Sequence, residues 1–332
     1  MSQSLLELIK NDRRLRKPGV LSNETDLFGL DDMRYCEQWD YSLPTLVPRY
    51  NRTTRSNCTD QMTDSKFADR FYELFPVLQN IDMDGVLFAG GAVSHLVSGE
   101  NGRYKGDVDI FIYGCDQNEA NNKTEKIIST ICKTRVDMKM ESFHEKNPMP
   151  TLRNEPSEPP KPVFDVNEHT NELSKEQWKR EYDIYLSDHK EWTREHTEYC
   201  KSMSIWKRNY SVKNDRFNEE NITLIKNKNC VTFENEYISG VKFQIVFRLY
   251  KDISEILHGF DVQSSAVGFD GTNVYFTGLS LWCYRNFCNV IDTTRRSTTY
   301  EKRIMKYFNR GFDIITPEPV SYTHLRAHET RG

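Results

Sequence analysis

The run Val86-Leu87-Phe88-Ala89 is a short, unbroken apolar segment that ends at Gly90-Gly91, after which apolar residues return at helical spacing in Ala92, Val93, Leu96 and Val97. This pattern predicts a buried strand, a tight glycine turn and a helix beginning near Ala92. After a loop at Gly99–Gly106, the stretch Gly106-Asp107-Val108-Asp109-Ile110-Phe111 alternates polar and apolar positions, as a half-buried strand does. Asp107 and Asp109 then share one face, roughly 6–7 Å apart at the backbone, while Val108 and Ile110 enter the core.

The same reading extends along the chain. Residues 3–16 predict a short charged amphipathic helix ending before Pro18, and residues 20–60 are polar and turn-rich. Asp64 or Ser65 is expected to cap a helix that presents Phe67, Phe71, Leu74 and Phe75 on one face. Thr124–Lys133 reads as a helix with Ile127, Ile128 and Ile131 inside. The proline-rich stretch Asn147–Pro162 reads as a loop or linker. Residues 170–220 are dense in charge yet carry Trp178, Tyr182, Tyr185, Trp192, Tyr199 and Trp206, which predicts a helical hairpin that packs its aromatics on the main domain. Ile222–Lys226 and Cys230–Glu234 flank an Asn-rich turn and predict a hairpin. Strands are expected at Val241–Tyr250, Val262–Phe269 and Val274–Thr277, a helical turn at Ser254–Leu257, and helices at Gly278–Phe287 and Thr299–Phe308.

Composition narrows the class. A chain of 332 residues with 37% hydrophobic and 28% charged residues can bury a core but must leave much helix or loop solvated. Its net charge of −4 gives no general affinity for nucleic acid. The eight cysteines lack CxxC or Cys/His spacing and read as reduced thiols, with Cys283 and Cys288 as packing residues on one helix. The N-terminal apolar run is too short for a signal peptide and no segment suits a membrane span, so a cytoplasmic protein with no membrane partner is expected. Triplets such as Asn23-Glu24-Thr25 are then irrelevant to glycosylation. The final stretch Ser321–Gly332 resembles translated adapter sequence, so its two histidines carry no functional weight and the natural C-terminus is expected to be missing.

Taken singly, the chemical features have ordinary readings. A glycine pair between strand and helix is often only a turn needing positive φ, an acidic pair on a strand is often simply solvated, and Lys302, Arg303 and Lys306 lie along what can be a solvated helix face. Together, however, a strand, a glycine turn, a helix and an Asp-x-Asp strand bring backbone N–H groups and two carboxylates to one sheet edge. At these residues the chain resembles the nucleotidyltransferase fold of the polymerase-β-like superfamily, whose signature is a Gly-Gly or Gly-Ser turn followed by an acidic-x-acidic strand. The resemblance covers residues 62–135 and 221–316; the Gly99–Gly102 loop absorbs a slightly long spacing from Gly91 to Asp107. Val241–Tyr250, His258-Gly259-Phe260-Asp261 and the helix carrying Arg303 and Lys306 look most like uncharacterised domains of this kind in large DNA viruses and in ankyrin-repeat proteins. No ankyrin repeat is present here.

The resemblance implies an α+β fold: a nucleotidyltransferase-like small mixed sheet flanked by helices, with a helical insertion and a C-terminal helical region. It divides the chain into an N-terminal extension (1–60), a first part of the core (61–135), a linker and charged, aromatic insertion (136–220), a second part of the core (221–276), a C-terminal helical region (277–319) and the tail (320–332). It also implies in-line attack on the α-phosphate of a nucleoside triphosphate. Asp107 and Asp109 would hold Mg²⁺, or Mn²⁺ in its place, and two ions about 3.5–4 Å apart would serve the entering and leaving oxygens. Gly90 and Gly91 would admit the triphosphate, Ser94 would donate to it, and Lys302, Arg303 or Lys306 would neutralise it. The superfamily's third carboxylate sits on a strand beside the acidic pair. The matching stretch Phe243-Gln244-Ile245 offers an amide at that point, and Asp261 is the nearest alternative. Two functions follow: an Mg²⁺-dependent nucleotidyltransferase whose acceptor (RNA, protein or small molecule) the sequence does not identify, or a non-catalytic module of that fold binding a nucleotide or protein partner. RNA binding by the aromatic insertion is disfavoured by the acidic balance.

Overall fold

The computed structural model describes residues 5–17, 26–34, 45–47, 62–99, 103–150, 158–163, 172–219, 223–234, 241–295 and 298–316. Most of the polar stretch 20–60, including the Asn23-Glu24-Thr25 triplet, the part of the glycine loop at 100–102 and the tail from residue 320 lie outside the described residues. The chain forms two compact units, residues 1–132 with 222–332 as one and residues 133–221 as the other.

An eight-stranded mixed sheet organises the first unit, in the order β1 (Leu27–Phe28), β9 (Val274–Thr277), β8 (Val267–Phe269), β3 (Val86–Ala89), β4 (Gly106–Ile112), β7 (Val241–Val246), β6 (Cys230–Glu234) and β5 (Thr223–Lys226). The fold is thus α+β, with a larger sheet than the sequence suggested. Strand β3 is buried along its whole length because antiparallel neighbours β4 and β8 flank it and both its faces meet core. That arrangement accounts for its unbroken apolar run. Strand β4 pairs in parallel with β7, and β7 is antiparallel to β6. The β5–β6 hairpin closes on Asn227, whose side-chain oxygen accepts from the amides of Asn229 and Cys230 at 2.7 and 2.9 Å.

One sheet face carries the main core. Val86 and Phe88 of β3, Val108, Ile110 and Ile112 of β4, and Phe243 and Ile245 of β7 meet Phe67, Phe71 and Phe75 there. Helix α2 (Asp64–Leu74) supplies the first two of these phenylalanines. Phe71 lies 4.9 Å from Phe88, 5.1 Å from Phe75 and 5.1 Å from Phe269, ring centre to ring centre. The helix is capped by Thr63, whose hydroxyl accepts from the Lys66 amide, and not by Asp64 or Ser65. Asp64 instead accepts from the Val274 amide at 2.9 Å, tying α2 to strand β9. A second, smaller apolar cluster on the opposite face joins Leu87, Ala89 and Phe111 to Ile256 and Leu257 of α6 (Ile253–His258).

Short elements that periodicity did not announce complete this unit. A three-stranded sheet runs β10 (Cys288–Val290), β11 (Asp313–Ile315) and β2 (Thr45–Val47). Beside it, Cys283 of α7 (Gly278–Asn286) and Cys288 of β10 pack with Ile9 of α1 (Leu5–Leu15), so the two cysteines are packing residues on different elements. Arg13 and Arg16 at the end of α1 pair with the buried Asp292. The expected strand Val262–Phe269 is a tight turn at Gln263–Ser265 followed by β8, and the expected strand to Tyr250 stops at Val246. Tyr250 retains one bridge, to Tyr113.

In the second unit the sequence expectation of a hairpin over 170–220 is replaced by one helix, α5 (Glu172–Glu219), 48 residues and about 72 Å long. Its aromatic and histidine residues recur at spacings of three, four or seven positions, so they form a single stripe with stacked pairs: Trp178 on Tyr182 at 5.0 Å, Trp192 on His196 at 5.0 Å and Trp206 on Tyr210 at 5.3 Å. The helix predicted at Thr124–Lys133 is the middle of α4 (Gln117–Lys146), whose His144 meets Trp206 and Tyr210. No helix among the described residues is long and apolar enough to cross a membrane.

Because Phe71 touches phenylalanines of α2, β3 and β8 at once, Phe71→Ala should cost about 3–5 kcal/mol in urea unfolding, well above the cost of truncating the exposed Leu6.

Candidate functional site

Side chains alternate along β4, so the face opposite the main core receives Asp107, Asp109 and Phe111. In register, Asp109 lies beside Ala89 of β3 on one side and Gln244 of β7 on the other, and Asp107 lies beside Lys242. Phe111 enters the small apolar cluster, while Asp107 is exposed and Asp109 half-buried, so the sheet face changes from apolar to acidic within two residues. The Asp109 carboxyl is pushed up to about 7, first by burial and then by the charge of Asp107, with the Lys306 ammonium pulling the other way. Two like-charged carboxylates side by side with one poised to hold a proton form a site short of positive charge.

The glycine turn closes this edge. Strand β3 stops at Ala89, Gly90 adopts φ +86°, and α3 (Gly91–Val97) begins at once. A Cβ on Gly90 would stand 3.3 Å from Oδ2 of Asp109 and 3.3 Å from Cε1 of Phe260. One on Gly91 would stand 2.9 Å from the Tyr104 hydroxyl and 3.8 Å from Nζ of Lys306. Both glycines are therefore required by close approach, and Gly90 also by its backbone conformation. Tyr104 donates to the Asp107 carbonyl at 2.9 Å, and its hydroxyl also fills the space above Gly106, at 2.8 Å from a Cβ there. This one buried phenol thus spaces the glycine turn from the acidic strand.

Helix α8 (Tyr300–Asn309) supplies the opposing charge. Tyr300, Ile304 and Tyr307 are its buried side, so Lys302, Arg303 and Lys306 fall on the other. Of these, Lys306 reaches the Gly91 turn and the field of Asp109. Arg303 pairs with Asp261, so the two residues expected as a phosphate cation and a third carboxylate are engaged with each other. Lys302 is exposed. Ser94, expected as a phosphate donor, is wholly buried beside the Tyr307 hydroxyl. Arg310, one turn beyond Lys306, lies over the Tyr307 ring and contacts the Gly91 carbonyl at 3.4 Å.

Sequence reasoning missed Tyr104, Lys242 and Arg310, and named Phe260 only within the stretch that carries the resemblance. Tyr104 sits two residues before Gly106, but nothing local told that its ring spans both glycines. The other three arrive through tertiary pairing. Among the described residues no group of three or more His, Cys, Asp or Glu side chains converges as a metal cluster. The chemistry of the donor set still suits one hard cation, since Mg²⁺ is commonly held by one or two carboxylates with phosphate oxygens and water completing its shell.

An α+β sheet edge with a glycine turn, paired carboxylates and an opposing lysine is the class of site that the geometry defines. Residues 54–285 match the profile of the family described as "Gad2: Gabija anti-defense 2 family protein", and the chain belongs to that family. It is also 33% identical over 293 residues to "Uncharacterized protein R883" of Acanthamoeba polyphaga mimivirus, an alignment covering 88% of this chain and 49% of that protein. The chain thus spans about half the length of this relative. No solved structure matches it.

Two predictions test the site's construction. Gly90→Ala forces a side chain into a left-handed backbone against Asp109 and Phe260 and should cost about 1–2 kcal/mol by chemical denaturation. The second concerns pH. The folded Asp109 takes up its proton near pH 7 and the unfolded carboxyl near 3.8, so the folded state holds the extra proton between those values. Stability of the metal-free protein therefore falls as pH rises through this window. Asp109→Asn removes the penalty and should raise the melting temperature by about 3–6 °C at pH 8 and by less at pH 5.

Proposed function

We propose that the chain is an Mg²⁺-dependent nucleotide-binding protein of the nucleotidyltransferase kind, transferring a nucleoside monophosphate from a triphosphate to an acceptor. The observation that carries this reading is the convergence of Asp107, Asp109, the Gly90-Gly91 turn and Lys306 at one sheet edge. Asp107 and Asp109 would hold the cation, which supplies charge neutralisation at the α-phosphate and the leaving group. Gly90 is buried with its amide bonded to the Val267 carbonyl at 3.0 Å, so phosphate oxygens would approach the turn at the half-buried Gly91, at the start of helix α3. Lys306 offsets phosphate charge from the far side, and Arg310 holds the carbonyl side of the turn. With Asp109 ionised only near and above pH 7, cation binding and transfer should rise together through that pH.

A second reading rests on a specific residue. Gln244 lies in register with Asp109, on the strand where the superfamily has its third carboxylate, and Asp261 is engaged by Arg303. An amide can neither act as a base nor cancel charge, so this pair of facts favours a module that binds a nucleotide without transferring it. Under either reading, membership of the Gabija anti-defense 2 family supplies a purpose: the nucleotide site would be the means by which the chain counters a defence of that name.

Purified protein incubated with Mg²⁺ or Mn²⁺ and each α-labelled NTP should transfer label to itself, to RNA or to a small acceptor, and Asp109→Ala should reduce transfer at least about a hundredfold. Tight NTP binding without transfer, lost in Asp107→Ala/Asp109→Ala, would select the second reading. Nucleotide binding that is absent in the wild type would remove both.

A further inference from the structure

Phe260 stands where the candidate site offers neither charge nor a hydrogen bond. It follows α6 in a turn whose amide bonds to the Leu257 carbonyl at 3.2 Å, and its neighbour Asp261 is anchored to Arg303 on α8. Cε1 of its ring lies 3.3 Å from the point where a Gly90 Cβ would be, and Oδ2 of Asp109 lies equally close to that same point. Its ring also meets Phe111 in an edge-to-face packing, centre to centre 5.7 Å at 64°. Phe260 is half-buried. It therefore stands at the boundary between the small apolar cluster under α6 and the carboxylate edge, an aromatic plane beside the glycine turn.

We infer that Phe260 is the platform on which the base of a nucleotide stacks, with the phosphates directed to the Gly90-Gly91 turn and Lys306. This rests on the nucleotide reading above and adds the ligand's other half. The argument is one of division of labour. The acidic pair, the turn and Lys306 recognise only phosphate and cation, features shared by any polyphosphate. Discrimination of a nucleotide from inorganic polyphosphate requires a surface for the base, and Phe260 is an aromatic ring in contact with the turn itself. A π-face accepts every base, and stacking is stronger for the larger purines, so the site should take all four nucleotides with purines preferred. The ring has no polar group with which to read a base edge.

The test compares equilibrium binding of ATP, GTP, CTP, UTP and inorganic tripolyphosphate in Mg²⁺ to the full chain, as wild type, Phe260→Leu and Phe260→Trp. Leu keeps an apolar contact with Phe111 but lacks a π-face, whereas Trp restores one. The expected result is NTP binding about tenfold tighter than tripolyphosphate in the wild type, a loss of about that factor for NTPs alone in Phe260→Leu, and recovery in Phe260→Trp. Equal affinity for tripolyphosphate and NTPs in the wild type, or an equal loss for both in Phe260→Leu, would overturn the inference while leaving phosphate binding at this edge intact. Failure of the wild type to bind either ligand would instead remove the nucleotide reading and this inference with it.

Discussion

Strand β4 lies between β3 and β7 and can give only one of its faces to the main core. Val108, Ile110 and Ile112 take that face, and the two-residue repeat of an extended chain then sends Asp107, Asp109 and Phe111 to the other. A shift of one residue in its pairing would bury two carboxylates among phenylalanines, so the register is held by the full cost of desolvating those charges. The same register sets Asp109 between Ala89 and Gln244 and brings the end of β3, with its glycines, against the acidic pair. Core and candidate site are two consequences of one strand's alternation.

The cost of this arrangement falls on Asp109. Its carboxyl is raised by burial and by Asp107, and the nearest relief is Lys306 on α8, at the far end of the chain. Helix α8 reaches that position because Tyr300, Ile304 and Tyr307 bury its other side, and Arg303 clasps Asp261. The acidic edge thus assembles from β4, α3, α6's following turn and α8, elements separated by most of the sequence. An active or binding site with unbalanced negative charge is a place where a cation or a phosphate–metal complex gains most.

How much of this could be read from the chain depends on how local the cause is. The strand Val86–Ala89, the helix after it and the alternation at 106–111 are fixed by adjacent residues, and each appears within a residue or two of its expected place. The α+β class is what the resemblance carried by these residues implies, and the eight-stranded mixed sheet flanked by helices agrees with it. The short strands at 27–28, 288–290 and 313–315 escaped notice because two or three residues carry no period, and only pairing makes them strands. The aromatic stripe along 170–220 suits one helix or a helical hairpin equally well, and only the folded chain shows the single helix α5. Within the site, Asp107, Asp109, Gly90 and Gly91 can be placed at one sheet edge from the sequence because they share one strand–turn–helix–strand segment. Ser94 was not legible in this way, since its helix turns that hydroxyl inward. Nor was the mutual engagement of Arg303 and Asp261, or the wedge of Tyr104 between two glycines, because each depends on an approach that only the folded chain creates.

The central claim is that Asp107 and Asp109 are a cation site for a nucleotide. Its most direct test is a crystal of the protein grown with Mn²⁺ and a non-hydrolysable nucleoside triphosphate, measured at the manganese absorption edge. The account predicts an anomalous peak at about 2.0–2.2 Å from carboxylate oxygens of both Asp107 and Asp109, with phosphate density against Gly90-Gly91. A bound nucleotide elsewhere, with no peak at this edge, would contradict it.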